Sequence, residues 1–81
     1  MVIDQVRETL ANTLQLGARA SLFDANTRLL GEIPELDSMA VVNLLTAMED
    51  RFDIVIEDDE VTADIFVTLG SLVGFVETKL R

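Results

Sequence analysis

Apolar residues at Val2, Ile3, Val6, Leu10 and Leu14 recur at spacings of three and four, the period of one face of an α-helix. The run predicts an amphipathic first helix with Gly17 as its stop. No sustained period follows from Ala18 to Asp37. That segment contains Asn26, Gly31 and Pro34, but also Leu22, Phe23, Leu29, Leu30, Ile33 and Leu36. So long a connection is unusual in a small domain. Its apolar content predicts a loop pinned onto the core, with room for a short helical turn. The helical period returns at Val41, Leu44, Leu45, Met48 and Phe52 and predicts a second helix from about Ser38 to Phe52. Asp37 and Ser38 are both good N-cap types, and Pro34 lies upstream, where it cannot break the helix.

The segment Asp53 to Ile56, "DIVI", has strand-like composition but no partner strand elsewhere, and reads as an extended link. "EDDEVTADIF" opens with acids, which suit a helix N-terminus, and predicts one short helix over about Asp58 to Phe66. Thr68 is placed to cap a last helix, with Leu69, Leu72, Val73, Val76 and Leu80 inward and Lys79 and Arg81 in its final turn. The pattern as a whole predicts an all-α, four-helix bundle: three main helices, one short one, and a long loop between the first and second. At 81 residues it forms a single domain, residues 1–81.

Composition narrows the chemistry. There is no Cys and no His, so disulfides, zinc–thiolate sites and Ser-His or Cys-His nucleophilic pairs are excluded. The reading is a non-enzyme without a metal site. No apolar run approaches the ~20 residues of a membrane span, and "MVIDQVRETL" is not a signal sequence, so a cytoplasmic setting is expected. Net charge is −9, with ten acids and one base, Arg51, between Glu35 and Asp64; the remainder has five acids and five bases. The entire charge excess sits in the middle of the chain. Such a field repels nucleic acid and anionic membranes and attracts basic protein surfaces.

Two candidate sites in this acidic half reduce to ordinary structure. "DIVIEDDE" lacks the alternating-acid spacing and mid-loop Gly of a calcium-binding EF-hand, although clustered acids still attract divalent cations diffusely. Met48, on the inward stripe, reads as core filler. Met39, next to Ser38, is expected near the surface. Ser38 is the third candidate. On the residues Asp37, Ser38 and Met39 alone, a capping role suffices. However, the serine follows a long loop, heads the most apolar helix and lies within the acidic half. A phosphate ester there would meet the free N–H groups and the positive dipole end of the helix. With no thiol in the chain, any thioester chemistry would need an attached one.

The stretch "LLGEIPELDSMAVVNLLTAMEDRFDIVIEDDE" resembles the core of acyl carrier proteins. Their signature is Asp-Ser-Leu at the start of the second helix, then an apolar run, acids and a Phe. Asp37 and Ser38 match, Met39 stands in for the Leu, and Leu44, Met48 and Phe52 fall on the inward positions. "FVTLGSLVGFVE" resembles the family's last helix. The resemblance implies a 4'-phosphopantetheine arm, taken from coenzyme A by a phosphopantetheinyl transferase and joined to Ser38, with Asp37 and Met39 beside it. It implies acyl groups carried as thioesters between acyl-transferring, ligating or condensing enzymes, in fatty-acid, polyketide or a related specialised lipid pathway. It places partner docking on the second helix, here Asp37, Met39, Val42, Thr46, Glu49 and Asp50. Cargo would tuck into a cleft of Val42, Leu45, Met48, Ile65 and Leu72. A monomer suits such a shuttle.

The chain departs from the family where the second helix begins. "MAVVNLL" has no charge before Glu49, and Arg51 is basic where acids are common. These departures, with Met39 and the "GEIPE" approach, indicate a specialised stand-alone carrier. The alternatives are an aminoacyl or peptidyl carrier, against which the missing glycines and His before the serine count, and a small acidic interaction module in which Ser38 is only a cap. Crowding of carboxylates from Glu57 to Glu60 predicts that millimolar magnesium or calcium at low salt raises the melting temperature. A flat response in a thermal scan would show that these acids are paired or well separated.

Overall fold

The computed structural model describes residues 2–81. It contains three α-helices, α1 (Val2–Leu14), α2 (Ser38–Phe52) and α3 (Leu69–Leu80). A 3-10 helix at Gly17–Leu22 lies in the first loop. The expected short third helix is present as two 3-10 turns, Asp58–Glu60 and Ala63–Phe66. It is not continuous, because Val61 and Thr62 between the turns are extended. Glu57 caps the first of these turns, with the reciprocal bond from its own N–H to Glu60. Among the described residues there is no strand, only an isolated antiparallel bridge between Arg28 and Thr68. Asp53 to Ile56 is a link, as its missing partner strand required.

The core forms where the periodic apolar faces meet. Val6, Leu10 and Leu14 of α1, Leu44 and Met48 of α2, and Leu69, Leu72 and Val76 of α3 are buried. Val41, Leu45 and Phe52 pack at its margin. Leu80, expected inward, is 45% exposed, because the last turn of α3 runs past the end of the core. α1 stops earlier than Gly17 would have it. Gln15 takes a left-handed φ of 56°, and the N–H of buried Leu16 returns to the Ala11 carbonyl at 2.9 Å. This is a left-handed helix stop of the kind usually given to Gly, here closed by the burial of Leu16.

The first loop is anchored in two ways. Leu16, Ala20, Leu29, Ile33 and Leu36 are buried, while Leu22 and Leu30, also counted among its apolar anchors, face outward. The backbone also forms a clasp with the start of α3. Leu29 and Leu30 donate to the carbonyls of Val67 and Phe66, and Leu69 and Gly70 donate to those of Thr27 and Ala25, all at 2.9 Å. Thr68 completes the arrangement, its hydroxyl accepting from Ser71 N–H at 3.0 Å. The N–H groups that α3 would otherwise leave unpaired in its first turn are thereby satisfied. Ion pairs bind the rest together: Arg51 to Glu8 at 2.6 Å between α2 and α1, and Lys79 to Glu60 at 2.8 Å. The Lys79 ammonium holds the Glu60 carboxyl below its ordinary pKa.

The clasp gives two glycines of α3 opposite roles. A Cβ on Gly70 would lie 2.8 Å from the Ala25 carbonyl oxygen, whereas one on Gly74 would meet nothing within 4 Å. Gly70→Ala should therefore destabilise the fold by about 1–3 kcal/mol through overpacking. Gly74→Ala should stabilise it by about 0.5–1 kcal/mol through helix propensity. Urea denaturation of the two variants checks the signs.

Candidate functional site

The two long helices that start after loops, α2 and α3, have differently finished N-termini. At α3 the Leu69, Gly70 and Ser71 N–H groups are taken by Thr27, Ala25 and Thr68. At α2 one cap is present. Asp37 is extended, with φ −103° and ψ −174°, and its Oδ1 accepts from Ala40 N–H at 2.8 Å. The Ser38 and Met39 N–H groups have no partner among the described residues. They point along the axis at the positive end of a 15-residue helix.

Ser38 is therefore not the cap of α2, although its residue type suited that role; Asp37 is. Ser38 is the first residue of the helix. It is exposed, and its hydroxyl makes no hydrogen bond among the described residues. Structural need does not account for a serine here. Met39 beside it is 69% exposed, as expected. The approach to the site is braced from behind. Arg19, in the 3-10 helix, pairs with Glu35, and this hydrogen bond holds the Glu35 carboxyl below its ordinary pKa. Leu36, between Glu35 and Asp37, is buried.

The other anticipated residues distribute unevenly. Met39, Val42, Thr46 and Asp50 are exposed along one side of α2, as positions three and four apart on a helix must be, and Asp37 is exposed at the cap just before it. Glu49 shares that side but is half-buried, and its Oε2 accepts from Ile56 N–H at 2.8 Å. Its carbonyl also receives the N–H groups of Asp53 and Ile54. Glu49 thus closes the C-terminus of α2, where Asp53 adopts a left-handed φ of 55°. That role was not legible in the sequence, because only the chain reversal at Asp53 brings Ile56 back to it. Of the anticipated cleft, Met48, Ile65 and Leu72 are buried, Leu45 is half-buried, and Val42 is 57% exposed. In this conformation Val42 belongs to the outer face instead of an interior cleft. No group of His, Cys, Asp and Glu among the described residues is arranged to hold a metal ion.

The free N–H pair and the unengaged hydroxyl fit a phosphate ester. An anion at a helix N-terminus takes up unpaired N–H groups and faces a positive dipole, and a serine oxygen with no other bond is available for esterification.

Comparison with known proteins gives the family. Residues 4–76 match the family described as phosphopantetheine attachment site. An acyl carrier protein from an Exiguobacterium species is 43% identical over 44 residues, covering 54% of this chain and 53% of that protein. One from a Sulfurovum species is 44% identical over 41 residues, covering 51% and 52%. In both alignments the chain spans about half the length of the curated relative it matches. A holo acyl carrier protein from Nitrosomonas europaea, solved by solution NMR, superposes with a TM-score of 0.91 at 54% identity, covering 96% of this chain and 94% of that one.

The division of labour at α2 has a measurable consequence. Asp37→Ala should cost about 1 kcal/mol of stability, whereas Ser38→Ala should stay within about 0.5 kcal/mol of the parent. Equal losses in urea denaturation would return the capping role to Ser38. A helical bundle whose second helix keeps an open, anion-ready first turn, with matches spanning nearly its whole length, places this chain in the phosphopantetheine attachment-site family, among the acyl carrier proteins.

Proposed function

We propose that the chain is an acyl carrier whose 4'-phosphopantetheine is esterified to Ser38. The observation that carries this reading is the contrast between the two helix starts: α3 is closed by the loop, whereas α2 presents an exposed serine hydroxyl beside two unpaired N–H groups. Asp37 fixes the backbone so that Ser38 enters the helix at its first position and its hydroxyl stays outside. The Ser38 and Met39 N–H groups receive the phosphodiester charge. When bound, the arm supplies the thiol that the sequence lacks, on which acyl groups are held as thioesters. The protein's own contribution is attachment, orientation and presentation; no residue here catalyses a reaction.

In this reading a phosphopantetheinyl transferase loads Ser38, and acyl-transferring, ligating or condensing enzymes then visit the same end of α2. Among the described residues no helix is long and apolar enough to cross a membrane, and we place the carrier in the cytoplasm as a monomer. The uncharged opening of α2 supports a specialised pathway over housekeeping fatty-acid synthesis. No acid occurs in its first turn, so the basic docking sites of housekeeping enzymes find little to engage.

Incubation of the apo protein with coenzyme A and a broad-specificity transferase should add one phosphopantetheine to the parent chain and none to Ser38→Ala, read by intact mass. If the folded parent gains nothing while a control carrier is loaded, the acidic interaction module becomes the better account. Malonyl transfer to the holo protein by a housekeeping transacylase should be slower than to the host's main carrier. Equal turnover would remove the case for specialisation.

A further inference from the structure

The turn that leads into α2 has no repeating structure of its own. Residues 31–37 lie outside every helix, yet they decide where Ser38 stands. On one side Leu36 is buried in the core. On the other, Glu35 meets Arg19 of the Gly17–Leu22 helix through a two-pronged contact. Arg19 Nη1 donates to Glu35 Oε2, and Arg19 Nη2 donates to Glu35 Oε1 at 3.3 Å. A fork of this kind fixes orientation as well as distance. Arg19 is itself held in place. Its neighbour Ala20 is buried, and its own N–H donates to the carbonyl of buried Leu16 at 3.3 Å.

The main chain carries this constraint forward to the helix start. The Glu35 carbonyl accepts from Asp37 N–H at 3.1 Å. Asp37 Oδ1 then accepts from Ala40 N–H at 2.8 Å, and the Asp37 carbonyl from Val41 N–H at 2.9 Å. Ser38 lies within this series and makes none of its bonds. The side chains of Arg19 and Glu35 are 54% and 34% exposed, so their pairing adds little to global stability. Its effect is local.

We infer that Arg19 and Glu35 are positioning residues for the loading of Ser38: their fork holds the turn into α2 in the arrangement that a transferase binds. The inference rests on the carrier reading above, and it gives a role to Glu35 of the GEIPE stretch, where the chain departs from its family. Both residues act through Asp37. Without the fork the turn samples other arrangements, and a partner that selects one of them sees its affinity lowered by the fraction populated. Turnover at saturation is preserved, because the bound arrangement is the same.

The test compares the apo parent with Arg19→Ala, Glu35→Ala and the double variant. Amide hydrogen exchange is read at Ala40, with Leu44 deeper in α2 as the global control. Loading by a broad-specificity phosphopantetheinyl transferase gives kcat and KM for the carrier. Each single variant should speed exchange at Ala40 about fivefold, leave Leu44 unmoved, raise KM about fivefold and leave kcat within about twofold, as a fall in the competent fraction requires. The double variant should be no worse than either single one, since the two residues act as one unit. Arg19→Lys, which keeps the charge without the fork, should recover only part of the loss. Unchanged exchange at Ala40 would overturn the inference. So would an equal rise at Leu44, additive losses in the double variant, or a KM effect in Glu35→Ala alone, which would make Glu35 a direct partner contact. If the parent is not loaded while a control carrier is, the carrier reading fails, and exchange at Ala40 still decides whether the fork holds the turn.

Discussion

The backbone clasp between residues 25–30 and 66–70 is the constraint on which the other features rest. It orders a loop that separates two helices and contains no α-helix of its own. Four main-chain hydrogen bonds of 2.9 Å do so at the start of α3, where donors would otherwise be unpaired. Buried Leu29, Ile33 and Leu36 then carry the chain across the core and deliver Asp37 in the extended conformation that a cap needs. The site at Ser38 is thus prepared by contacts far from it in sequence. The close approach at Gly70 is part of that arrangement, since no larger residue lets the loop come so near.

The same economy of donors distinguishes the two helix starts. Both carry a good cap, Asp37 or Thr68. At α3 the neighbouring loop supplies the remaining acceptors; at α2 nothing among the described residues does. Unpaired N–H groups are tolerable only where something outside the chain can reach them, and exposure of Ser38 and Met39 meets that condition. An attached phosphodiester would then complete the α2 start as the loop carbonyls complete α3. At the opposite end of α2, Glu49 supplies acceptors to the N–H groups of Asp53, Ile54 and Ile56 at the chain reversal. The helix is therefore fixed at both ends by acids, Asp37 just before it and Glu49 in its last turn.

Much of this was legible in the sequence, and what was not has identifiable causes. The apolar period gave α2 its bounds, and Thr68 announced α3. The composition of "DIVI" without a partner strand was enough to read it as a link. Asp37 and Ser38 could not be separated as caps, because both residue types suit the position and only the backbone angles decide between them. The division at Val61 and Thr62 leaves no mark in the sequence pattern, since 3-10 turns lack the long period that marks a helix. Gln15 took the left-handed position because the burial of Leu16 outweighed its poor intrinsic fit there. Composition places Leu22 and Leu30 inward, and the pattern of the last helix places Leu80 there, yet all three are exposed. The clasp and the Glu49 bond are non-local pairings, which no single-sequence period reveals.

Amide chemical shifts of the uniformly nitrogen-15-labelled protein before and after loading with phosphopantetheine test the central claim most directly. The account predicts large downfield changes at the Ser38 and Met39 amides, with Leu69, Gly70 and Ser71 unmoved. Loading that leaves Ser38 and Met39 unperturbed, or that acts first on the start of α3, would contradict it.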